Sequence, residues 1–68
     1  MEKNRKFQKF LIEQSLTKYR LAQKLGVSWQ TIYNWELGRN QPSAQHILAM
    51  SRILGVSAED ILKIFEGN

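Results

Sequence analysis

A chain of 68 residues has room for one compact domain with one modest core, and its stability is expected to be marginal. With 43% hydrophobic and 24% charged residues it reads as an ordinary globular protein, not a disordered tail or a membrane span, and the lack of cysteine excludes disulfides and thiolate metal sites. The net charge of +4 is unevenly placed: residues 1–40 hold eight basic and three acidic side chains, residues 41–68 two and three, so the first part is the candidate face for a polyanion. The opening Met-Glu-Lys-Asn-Arg-Lys is charged as a secretion signal would be, but Gln8, Lys9 and Glu13 interrupt the apolar run that must follow. Export is not expected, and the cytoplasm is the expected location.

Five short helices are predicted, none separated by anything long enough to be a linker, so residues 1–68 are expected to form a single all-α domain. Asn4 caps a first helix over residues 5–14, in which Phe7, Phe10, Leu11 and Gln14 recur at the spacing of one helical face. Thr17 caps a second, Lys18–Leu25, which buries Leu21, Ala22 and Leu25 and stops at Gly26. Ser28 caps a third over residues 29–37, closed by Gly38. Pro42 prevents continuation, and Ser43 caps a fourth helix to Leu54 that offers Ile47, Leu48, Met50, Ser51 and Leu54 to the core before Gly55. Ser57 with Asp60 has the form of a capping box and opens a fifth helix to about Phe65, where Ile61, Leu62 and Phe65 are expected to close the core.

The second and third helices are joined only by Gly26, Val27 and Ser28, the short glycine-containing turn of a helix-turn-helix at residues 17–38, whose second helix can enter the DNA major groove. Ile32 and Trp35 are three apart and point inward, leaving Trp29, Gln30, Tyr33, Asn34 and Leu37 outside. Gln and Asn amides can pair bidentately with adenine, so Gln30 and Asn34, one turn apart, are the leading base readers. Trp29 can pack on a thymine methyl or lie back over the preceding turn and join the core. Tyr33 can donate to a phosphate or shield a neighbour's apolar stem.

From Leu16 the chain reads LTKYRLAQKLGVSWQTIYNWELGRNQPSA, which resembles the phage repressor and Cro-like (XRE-like) helix-turn-helix family. The resemblance runs from Phe7 to Leu62 and rests on Leu16, Leu21, Ala22, Leu25-Gly26-Val27-Ser28, Ile32, Trp35-Glu36, Gly38, Pro42 and Leu54-Gly55-Val56-Ser57. It implies a sequence-specific DNA-binding transcriptional regulator, a repressor by the family's habit, with Trp29, Gln30 and Asn34 at base edges. It also implies backbone contacts from Lys18, Ser28, Thr31 and Tyr33, and from Arg39, Asn40 and Gln41 in the following loop. A weak homodimer through the fifth helix, residues 61–65, would place two copies on one operator. One position departs from the pattern. The family's helix 1 Arg, which pairs with the Glu ending helix 3, is Leu11 here, so Glu36 is expected to be exposed or to pair with Arg39 or Lys9.

Catalysis is not expected. His46 is alone and expected to face solvent, Glu59 and Asp60 are adjacent in a first helical turn and point apart, and no glycine-rich phosphate loop occurs, so no metal or other cofactor is called for. Two rival readings of the same fold remain: an antitoxin-like or anti-regulator module using Trp29, Tyr33 and Leu37 as an anchor patch, and a nonspecific architectural DNA binder.

Overall fold

A computed structural model describes residues 3–66 and contains five helices: α1 (Arg5–Glu13), α2 (Lys18–Leu25), α3 (Trp29–Glu36), α4 (Ala44–Leu54) and α5 (Ala58–Phe65). All five begin at the expected caps: the side chains of Asn4, Thr17, Ser28, Ser43 and Ser57 each accept a hydrogen bond from the backbone N–H three residues on. Two ends fall one residue short of expectation, because Gln14 and Leu37 are C-caps. Among the described residues there is no strand, and no helix is long and apolar enough to cross a membrane.

The ends of α1, α2 and α3 share one device. Behind α2, the N–H of Val27 reaches back to the Ala22 carbonyl and Gly26 takes φ 71°; behind α3, the N–H of Arg39 reaches the Asn34 carbonyl and Gly38 takes φ 75°. Behind α1 the same pattern binds the Leu16 N–H to the Leu11 carbonyl at 2.9 Å, but the left-handed position is held by Ser15, at φ 56°. That loop gave no sequence signal, since the residue there is not glycine.

Phe7, Leu21, Ile32, Met50 and Ile61, one from each helix, are fully buried, and each contributes roughly 1.5–3 kcal/mol of apolar burial. Around them Phe10, Leu11, Ala22, Trp35, Ile47 and Phe65 complete the cluster, with the rings of Phe7 and Trp35 5.2 and 6.1 Å from that of Phe65. Three expectations are corrected. Leu48 and Leu62 are 55% and 50% exposed and lie outside the core, because Ile47 and Met50 already fill the inward face of α4, and Ile61 and Phe65 that of α5. His46 does not face solvent freely: it is half-buried, its ring lies 5.4 Å from that of Trp35, and its Nδ1 is 3.0 Å from the Ser43 hydroxyl.

Candidate nucleic-acid interface

α3 is fixed from inside. Ile32 is fully buried and Trp35 nearly so, while Gln30 on the outer flank is exposed and Asn34 half-buried. The Nε2 of Gln30 donates to Oδ1 of Asn34 at 3.3 Å, so the two amides form a pair one turn apart. Gln30 keeps its carbonyl oxygen and a second N–H, which are the acceptor and donor that a bidentate adenine contact requires.

Trp29 does not join the core. Its indole is 43% exposed and stacks on Tyr33 with centroids 4.8 Å apart and planes 15° from parallel. The Lys18 ammonium lies 5.9 Å from the Tyr33 ring centroid, so cation and two aromatic rings line one flank of α3 beside the start of α2. At the N-terminus of α3 the Ser28 and Thr31 hydroxyls are 3.1 Å apart, and both residues reach the surface. Arg39, Asn40 and Gln41 are exposed in the loop beyond Gly38, and the N–H groups of Arg39 and Asn40 both point to the Asn34 carbonyl. The nominated side chains thus fall into two groups, one around the α3 N-terminus with Lys18, the other just past its C-terminus.

The expectation for Glu36 is overturned. The residue is 3% exposed, and its partner is neither Arg39 nor Lys9. Lys18 Nζ lies 3.1 Å from each carboxylate oxygen, and Gln8 Nε2 donates to Oε2 at 3.0 Å. The cation is supplied from the start of α2 because Leu11 occupies the α1 position and is itself buried in the core. Burial pushes the Glu36 carboxyl up, but the Gln8 hydrogen bond, the Lys18 hydrogen bond and charge, and the Lys3 charge outweigh it and hold the carboxyl below its ordinary value. Gln8 and Lys3 were not nominated from sequence. Nothing in their spacing signals a partner 28 positions away from Gln8.

Asn4 carries a second unforeseen role. Besides capping α1 it donates from Nδ2 to the Ile64 carbonyl at 3.0 Å, and its backbone N–H donates to the Glu36 carbonyl at 2.7 Å. One buried residue thereby joins the start of α1 to the ends of α3 and α5.

Residues 7–61 match the helix-turn-helix family. The chain belongs to that family. The fold and the class of DNA-binding transcriptional regulator implied by the sequence resemblance accord with this match. Among curated proteins, the helix-turn-helix chain is 32% identical over 62 residues to the HTH-type transcriptional activator BcrR of Enterococcus faecalis, covering 91% of this chain but 30% of that protein. It is 45% identical over 47 residues to an uncharacterized HTH-type transcriptional regulator of Methanocaldococcus jannaschii, covering 69% of this chain and 71% of the relative. No solved structure matches.

Proposed function

We propose that this chain is a sequence-specific transcriptional regulator, a repressor that occupies an operator in the cytoplasm and acts by binding, not by catalysis. The observation that carries it is the bonded Gln30 and Asn34 amides on the outward flank of a helix whose inward flank is locked by Ile32 and Trp35. Trp29 adds an apolar surface at the entry to the groove. Ser28, Thr31 and Tyr33 serve the phosphates on one side of it, and Arg39, Asn40 and Gln41 those on the other. Lys18 acts in two ways: two of its N–H groups hold Glu36, and the third is free in number to meet a phosphate. Two copies bind one operator, with the exposed Leu62 of α5 at the contact between them, because Ile61 and Phe65 are committed to the core.

Selection of preferred sites from a random DNA pool tests the reading. A defined site is expected, and Q30A or N34A should relax preference at one or two positions at a cost of about 1–3 kcal/mol each. Uniform weakening on all sequences would remove both residues as readers, and absence of DNA binding at low salt would favour the protein-binding alternative. Activation is the second reading, supported by the similarity to the Enterococcus relative, a transcriptional activator. A reporter fused downstream of the selected site separates the two by the sign of its response.

A further inference from the structure

α1 carries its charges against local stability. Arg5 and Lys6 stand in the first turn, where no acidic residue offsets them and the helix dipole disfavours cations, whereas the first turn of α5 holds Glu59 and Asp60. Arg5 and Lys9 are also a like-charged pair one turn apart, an arrangement that weakens a helix. Lys3, Arg5 and Lys9, all exposed, line one shallow groove with Gln8 and Ile12, and among the described residues no carboxylate lines it. Glu13 lies instead on a neighbouring groove, with Lys6, Lys9 and Lys63. Such a cluster repels itself in the free protein and gains when an anion arrives. The first groove adjoins the flank of α3, since its residues Gln8 and Ile12 also line another groove with Lys18 and Trp29, and Gln8 donates to Glu36, which Lys18 holds.

We propose that the α1 face formed by Lys3, Arg5 and Lys9 is a second binding site for the DNA phosphate backbone, continuous with the α3 surface through Gln8, Glu36 and Lys18. The inference rests on the DNA-binding reading above and adds to it a tract that positions the protein without reading bases. Glu36, the nearest carboxylate, does not oppose it, because its charge is matched by Lys18.

The test compares the full chain with K3Q/R5Q/K9Q on the selected site and on scrambled DNA, from 50 to 200 mM salt, with R20Q/K24Q/R52Q, which removes three exposed cations outside α1, as the control for net charge. If all three cations meet phosphates, the slope of log affinity against log salt falls by about 2.7, so the full chain loses about 40-fold more affinity across that range than the triple variant. Both DNAs should weaken alike at low salt, site ranking should be unchanged, and the control should keep the full slope. Helix content by circular dichroism verifies that the triple variant is folded, and K9Q alone, on an exposed position, gives a slope change of about one if folding is impaired. An unchanged slope, an equal change in the control or an altered site ranking overturns the inference while leaving the regulator intact. Absence of DNA binding by the full chain overturns the regulator reading itself.

Discussion

An ammonium that gives two of its three hydrogens to one carboxylate is a structural group before it is a binding group, and Lys18 is in that position. K18M should leave the buried Glu36 with Gln8 as its remaining side-chain hydrogen-bond partner among the described residues, and cost about 1–3 kcal/mol in urea unfolding. The same group sets an acid limit. Because the folded Glu36 carboxyl lies below its ordinary value, its contribution is complete above the ordinary glutamate value of about 4.3 and is lost as pH falls through the lower folded value. E36Q should therefore unfold with less pH dependence in acid than the parent chain; an equal dependence would show that other carboxyls dominate. Ser15 is the opposite case, a residue in a conformation that suits another. Its φ of 56° is glycine's region, so S15G is expected to stabilise the fold by about 1 kcal/mol and raise Tm by roughly 4–8 °C.

The helices are individually short, eight to eleven residues, and such lengths are not stable alone in water. Their mutual anchoring decides whether α3 presents a defined surface, and Asn4 is where three of them meet. N4A removes the α1 cap and the bond to the Ile64 carbonyl together, and about 1.5–3 kcal/mol of destabilisation is expected. N4D retains the capping oxygen but loses the Nδ2 donor. Its denaturation midpoint should fall between parent and N4A if both roles count; a midpoint equal to that of the parent would confine Asn4 to capping.

The five-helix domain measures 30 × 23 × 22 Å, while half-sites read by paired regulators lie roughly 34 Å apart, so one such domain covers at most one half-site. A surface contact through Leu62, half exposed on α5, is the proposed link between two. L62K should leave affinity for a single half-site unchanged and reduce affinity for the paired operator by about tenfold, read by titration on the two DNAs. Equal loss on both would mean that Leu62 acts through folding or through DNA.

The five helices, their caps, and the inward Ile32 and Trp35 with outward Gln30 were legible in the sequence because they depend on local chemistry: a capping side chain three residues from a free N–H, a glycine free to take positive φ, an apolar stripe at helical spacing. The direction of Trp29, the pairing of Glu36 with Lys18 and Gln8, the bond from Asn4 to the Ile64 carbonyl and the exposure of Leu48 and Leu62 were not legible. Each depends on which helix lies across the gap and how much room its side chains leave. Glu36 shows the difference most plainly. The sequence by itself determined that a carboxylate without its usual arginine ends the third helix, whereas only the packing of α1 and α2 around it decided that a lysine from the start of α2 would replace that arginine, because no local spacing brings residues 18 and 36 together.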